Sequence, residues 1–299
     1  MQLFDGHCDT LLRCHSDGGH LRKRAGHLDL ERTASFRRYA QFFAIFADDT
    51  GHTSAMSYPR VFQEQYDLFC REMKACRDLV SFCRTGAQAE AAFQQGRAAA
   101  FLSAEGAELL ECDLSRLEEA FNRGIRAVNL TWNRANALSG SNCQETERGL
   151  SGQGKKFVRR MQQLGMLVDV SHLSDRGFWD VLECSEKPII ASHSNARSVH
   201  FCQRNLTDRQ FAGIMETGGV AGLCMYADFL GKNAGLDTVV AHLEHFLSLQ
   251  GEKNIAIGGD WDGCSRLPRG MDGIEDMQRL RELLLRRNYS EALIGAVFY

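Results

Sequence analysis

Six residues scattered along the 299-residue chain have the chemistry of metal ligands and proton carriers, and they sit at the ends of short apolar runs. Leu3-Phe4-Asp5-Gly6-His7-Cys8-Asp9 finishes in His-x-Asp. Residues i and i+2 of a strand point to the same side, so His7 and Asp9 can reach one cation together. Ala98 to Leu102 delivers Ser103-Ala104-Glu105-Gly106, a carboxylate followed by a glycine that lets the backbone turn. Leu167-Val168-Asp169-Val170-Ser171-His172 and Ile189-Ile190-Ala191-Ser192-His193 each end on a histidine, and Ile255-Ala256-Ile257-Gly258-Gly259-Asp260 ends on an acid. One strand-end histidine is an ordinary structural residue. Three imidazoles and three carboxylates suit Zn²⁺ or a similar divalent ion, which takes nitrogen and oxygen ligands at about 2.0–2.2 Å. A catalytic zinc needs only three protein ligands. The surplus points to two cations about 3.5–4 Å apart with Glu105 as the bridge, and leaves Asp260 free as a general acid/base.

These residues meet only if the elements carrying them share one edge. Between the two histidine runs, Ser174 or Asp175 can cap a helix with Phe178, Val181 and Leu182 at helical spacing, and Pro188 stops it. Right-handed crossover makes the two flanking strands parallel. The same alternation recurs along the chain. Strand-like runs start at Leu3, Gln41, Ala98, Ala127, Leu167, Ile189, Val220 and Ile255. Helical patterns separate them: Tyr66, Phe69, Cys70 and Met73; a Ser115–Glu118 capping box closed by Gly124; Phe157 to Leu164 closed by Gly165; a Thr207–Gln210 capping box; Val239 to Leu247; and Met277 to Leu284. No tight hairpin joins neighbouring runs, and no Gly-x-Gly-x-x-Gly follows the first. The expectation is an α/β fold, one (β/α)8 TIM barrel over residues 1–299, with the six residues at its carboxyl-end mouth. The glycine-rich stretch Asn133 to Gly154 is long enough to cover that mouth. His27-Leu28-Asp29 lacks an apolar strand before it and reads as a loop pair, and Asp48-Asp49 as solvated loop charges.

Bulk properties exclude other classes. A net charge of -3 gives no basic footprint for nucleic acid. No apolar run approaches the ~20 residues that cross a bilayer. The first residues enter a strand at once, leaving no room for a leader peptide. The eleven cysteines are odd in number, irregularly spaced and without a Cys-x-x-Cys pair, as in a reducing cytoplasm. Strand alternation turns Cys8 away from its two neighbours, so it reads as a packed thiol.

The chain resembles the renal or membrane dipeptidase family, an amidohydrolase-like branch of metal-dependent barrels. The resemblance is carried by Asp5-Gly6-His7-Cys8-Asp9, Gln41-Phe42-Phe43-Ala44, Glu105-Gly106, Leu130-Thr131-Trp132-Asn133, Asp169-Val170-Ser171-His172, Ser192-His193-Ser194-Asn195-Ala196, Arg204-Asn205 and Gly258-Gly259-Asp260-Trp261-Asp262-Gly263, in order from end to end. It implies a zinc dipeptidase with two Zn²⁺ per chain. His7, Asp9 and Glu105 would hold one ion, Glu105, His172 and His193 the other, with a bridging hydroxide between them. Asp260 would handle the proton. Arg204 would grip the substrate's carboxylate with Asn205 beside it, and Tyr226 and Trp132 would lie near the substrate. The family includes members that accept a D-residue on the C-terminal side and members that open the β-lactam amide of carbapenems. It also suggests a homodimer.

Two features depart from the family's pattern. Trp132 stands where animal members have a histidine that helps stabilise the tetrahedral intermediate, so that role falls to a metal or another donor. The sequence reaches Phe298-Tyr299 where the family continues with a short final segment. Two other readings fit the same ligands: a different amidohydrolase reaction, such as cyclic-amide hydrolysis or deamination, and a metal-binding barrel without catalysis. The fourth run leads to Trp132 and not to a lysine, which removes the carbamylated-lysine bridge of many such enzymes. The spare carboxylate of Asp260 argues for catalysis, since structural zinc does not need it.

Overall fold

The computed structural model describes residues 1–299. Nine strands form one sheet, all paired in parallel: β1 (Gln2–Cys8), β2 (Arg38–Phe46), β3 (Val80–Phe82), β4 (Ala98–Glu105), β5 (Ile125–Asn129), β6 (Leu167–Asp169), β7 (Ile189–Ala191), β8 (Val220–Leu223) and β9 (Ile255–Ile257). Eight of them close on themselves, because β2 pairs with β1 on one side and with β4 on the other, from Ala40↔Ala99 to Phe46↔Glu105. The expected eight-stranded barrel is present. β3 stands outside the circuit, pairing Val80↔Ala98 to Phe82↔Ala100 beside the lower half of β4, whose upper half pairs with β5. Three residues with one buried apolar side chain, Val80, are too short a run to read as a strand.

Most helix signals act as their residues predict. Ser174 caps Asp175–Cys184 by accepting from the Gly177 N–H. Thr207 and Gln210 form a reciprocal capping box on Asp208–Glu216. Gly124 and Gly165 end their helices at left-handed φ of 108° and 81°. One cap is corrected. The helix Leu114–Arg123 is capped by Asp113, whose carboxylate takes the N–H groups of Ser115 and Arg116, so Ser115 lies inside the helix and not before it. A second correction concerns the end of the chain. After the helix Met277–Arg286, a further helix, Glu291–Phe298, packs across β1 and β9. Its residues from Ala292 to Phe298 carry no polar stripe, which hides the helical period.

The barrel interior is divided by chemistry. At the amino ends of the strands Phe4, Phe42 and Phe101 stack, with ring centroids 5.2–6.0 Å apart. At the carboxyl ends the lining turns polar and opens into a cavity of about 510 Å³. No helix is long and apolar enough to cross a membrane.

Candidate metal centre

Each of the five expected ligands, and the expected acid/base Asp260, lies at or just past a strand's carboxyl end, and the barrel brings all six together. His7 is in β1 with Asp9 just beyond it, and Glu105 closes β4. His172 and His193 follow β6 and β7, and Asp260 follows β9. All six are buried. Glu105 is the hub. Its Oε2 is 3.4 Å from His7 Nε2, and its Oε1 is 3.0 Å from His172 Nε2 and 3.5 Å from His193 Nε2. His7 Nε2 is 3.6 Å from Asp9 Oδ2. The donor atoms of His7, Glu105 and His193 lie within 4.8 Å of one another, as do those of His7, Asp9 and Asp260.

Two carboxylates outside the cluster set its geometry. Asp5 in β1 is fully buried and accepts from the N–H groups of His7 and Gly259, the Trp261 indole and the Gln41 amide, tying β1, β2 and β9. Asp169, closing β6, accepts from the N–H groups of Ser171 and Ser192 at 3.0 Å each, the residues just before the two histidines. The β7 turn can then enter the barrel because its neighbours lack side chains. A Cβ at Gly258 would lie 1.7 Å, and one at Gly222 2.0 Å, from the Ser192 carbonyl oxygen. Gly263 plays the same part beside the acids, where a Cβ would fall 2.0 Å from Asp9 Oδ2. His172, Asp260 and Asp262 adopt left-handed φ of 71°, 59° and 64°. Such strain concentrates at functional sites.

The Asp260 turn is latched from below. Asp262 accepts from Thr10 Oγ1, Arg24 Nη1 and the His27 N–H, and its own N–H donates to His27 Nδ1. His27 is therefore outside the ligand cluster, as its sequence setting suggests, but it braces the turn that carries Asp260.

The charges in the cluster compete for protons. Burial resists protonation of His7, but Glu105 and Asp9 outweigh it and hold its pKa well above the ordinary range. Burial, with Arg204 nearby, lowers His172 to about 4. Burial and His7 drive His193 well down. Burial opposes ionisation of Glu105, yet His7, His172 and His193 keep it well below a normal carboxyl. Burial and Glu105 push Asp9 well up, and burial lifts Asp260 to about 6.

These residues fit divalent cations. His172 Nδ1 faces Asn133 Oδ1 at 3.0 Å and His193 Nδ1 faces Ser192 Oγ at 2.7 Å. Asn133 accepts the His172 proton, and Ser192 has room for that of His193, which leaves both Nε2 lone pairs aimed inward, 3.0 Å apart and against a carboxylate. Lone pairs so placed repel unless a proton or a cation lies between them, and a divalent cation can take the place of the proton that these rings otherwise offer Glu105. The buried His7 Nε2 and Asp9 Oδ1 also have no hydrogen-bond partner.

Around the cluster, Phe46, Trp132, Asn133, Tyr226 and Phe229 line the cavity, with Asp48, His52 and Arg13 further out. Asp48 thus belongs to the wall, and its place two residues past β2 was the available signal. Asp49 turns instead to Arg134 and Tyr58. Trp132 meets Phe46 edge-on, with centroids 4.8 Å apart. Arg204 is 6% exposed. It donates to Ser194 Oγ at 3.4 Å and His193 O at 3.2 Å, lies over the Phe229 ring, and finds no carboxylate, while its Nε has no partner. Asn205 stands away from the cavity wall, its amide holding the carbonyls of His200 and Phe229.

A carboxylate- and histidine-lined mouth on a parallel eight-stranded barrel defines a metal-dependent hydrolase. The chain belongs to the membrane dipeptidase family, peptidase family M19, which it matches over residues 1–298, and it is a metallo-dipeptidase. It is similar to a metallo peptidase from Rhodobacter sphaeroides, crystallised with a phosphinate mimic of the dipeptide L-Ala-D-Ala. The identity is 28%, the coverage 100% of this chain and 96% of that one, and the TM-score 0.90. A similar crystal structure, of the dipeptidase AC of family M19, shares 29% identity with the same coverage and a TM-score of 0.90. An uncharacterised protein from the PQQ-III 3′ region of Acinetobacter calcoaceticus is 28% identical over 279 residues, 82% of this chain and 89% of that one.

Proposed function

We propose that the chain hydrolyses dipeptides at a binuclear zinc site, dipeptides with a C-terminal D-residue among them. The observation that carries this reading is the place of Glu105, with His7 on one carboxylate oxygen and His172 and His193 on the other. His7, Asp9 and Glu105 would hold one ion, and Glu105, His172 and His193 the second. Bound there, such ions lower the pKa of water to near 7 and polarise a carbonyl. The protein's own groups do the rest. Arg204, a buried cation without an anion, binds the free carboxylate and so favours dipeptides over longer chains. Tyr226 and Trp132 border the substrate, and Asn205 keeps Phe229 over Arg204. Asp260 takes the proton of the attacking water and passes it to the leaving amine, a role suited to a carboxyl raised to about 6. The L-Ala-D-Ala mimic in the Rhodobacter sphaeroides relative supports the stereochemical part.

The test is hydrolysis of an Ala-Ala panel, L-L and L-D, by wild type and Asp260→Asn at matched zinc content. The variant is expected to lose about 10²–10⁴-fold in kcat, the worth of a positioned acid/base. Unchanged turnover at equal metal content would remove Asp260 from the mechanism.

A further inference from the structure

We propose that Cys224 is a positioning residue for the hydrolysis, its thiol fixing the Asp260 carboxylate while Asn195 fixes the main chain of Cys224. The inference rests on the reading of Asp260 as the group that moves the proton. Cys224 is the first residue past β8 and is 0% exposed. Its Sγ lies 3.6 Å from Asp260 Oδ2. No other hydrogen-bond donor in the chain reaches that carboxylate, whereas Asp5, Asp169 and Asp262, the acids that brace the mouth, each take two or more. Asp260 Oδ1 shares the space beside Gly263 with Asp9 Oδ2: a Cβ there would lie 2.5 Å from the first and 2.0 Å from the second. The thiol therefore occupies one oxygen and leaves the other turned to the cluster.

The thiol is itself held from two sides. Sγ accepts the Tyr226 N–H at 3.4 Å, which directs the S–H hydrogen away from that side. The buried Asn195 side chain clamps the residue through its backbone, donating to Cys224 O and accepting from Cys224 N, both at 3.0 Å. Asn195 lies two residues past His193, so one run of hydrogen bonds joins a ligand turn on β7, the end of β8 and the carboxylate past β9. A thiol suits the position on chemical grounds. Buried as it is, with Asp260 beside it, Cys224 stays protonated, since both effects raise its pKa. It is also a weak donor, so it orients the carboxylate without greatly reducing its basicity. A charged donor there would hold Asp260 as an anion and blunt its capacity to take a proton.

Cys224→Ala and Cys224→Ser, compared with wild type and Asp260→Asn at equal zinc content, separate positioning from packing. If the thiol orients Asp260, Cys224→Ala loses about tenfold in kcat with KM changed by less than about twofold, and Cys224→Ser, which keeps a donor, recovers most of that loss. Equal losses in both variants, or none in either, overturn the proposal. Infrared difference spectroscopy gives a readout that does not depend on turnover. The S–H stretching band that vanishes in Cys224→Ala is expected to shift between wild type and Asp260→Asn; a band at the same frequency in those two proteins contradicts the contact. Should Asp260→Asn retain full turnover, the role of Asp260 fails, and the infrared band still decides whether the thiol binds it.

Discussion

A guanidinium buried without an anion is costly, and Arg204 is such a group: its partners are a hydroxyl and a carbonyl, and its Nε has none. Arg204→Met is expected to lower kcat/KM for free dipeptides by about 10–100-fold, in line with loss of charge-assisted hydrogen bonds. It should have little effect on zinc content. A dipeptide amide, lacking the carboxylate, should be cleaved equally poorly by wild type and variant; equal losses on acid and amide would place Arg204 in the scaffold. Glu108 offers an independent check in a different currency. Burial raises its carboxyl from an ordinary 4.5 to about 7, against the help of the Asn136 amide. Between those values the folded chain keeps a proton that the unfolded chain has released, so this group's contribution to stability falls as pH rises from 4.5 to 7 and stays low above. Glu108→Gln should therefore stabilise the protein by of order 1–3 kcal/mol at pH 8 and by almost nothing at pH 4, read from denaturant melts. At this scale the candidate ligands were legible because imidazoles and carboxylates at strand ends are visible in a sequence. Glu108, Cys224 and the isolation of Arg204 were not, because burial and the absence of a partner arise only when distant loops close over a side chain.

Two carboxylates act as staples between elements. Asp5 joins β1 to β2 and β9, and Asp169 joins β6 to the turn past β7. Each precedes a candidate ligand histidine by two or three residues and sets the main chain that aims it. Asp169→Ala should leave the N–H groups of Ser171 and Ser192 unpaired and cost about 2–4 kcal/mol. It should also weaken zinc binding by about 10–100-fold, as loss of an outer-shell partner does. Lost stability with unchanged zinc affinity would mean that Asp169 holds the fold alone. The barrel strands could be read because each carries a run of four or more apolar residues or a Val/Ile core, except β1, which was marked by Leu3-Phe4 leading into His-x-Asp. The departures have local causes. A charged acceptor at Asp113 outcompetes the Ser115 hydroxyl for the first turn of its helix. β3 presents a single buried apolar residue, and the helix Glu291–Phe298 has no polar face to mark its period.

The whole barrel separates two chemistries along its axis. Stacked phenylalanines line the amino end and titratable groups crowd the carboxyl end, where bound cations would relieve their mutual repulsion. Binding that favours only the folded chain stabilises it, by about 4 kcal/mol when the free metal exceeds its Kd a thousandfold. Topology was legible from the alternation of runs, and the convergence of six residues over more than 250 positions of sequence follows from closure of the β2–β4 seam. The most direct test is a titration of the metal-free protein with zinc, following Ala-Ala hydrolysis and bound metal together. The account predicts no turnover without metal and a plateau only when two zinc ions per chain are bound. Full activity at one ion, or no zinc retained by the cluster, would contradict it.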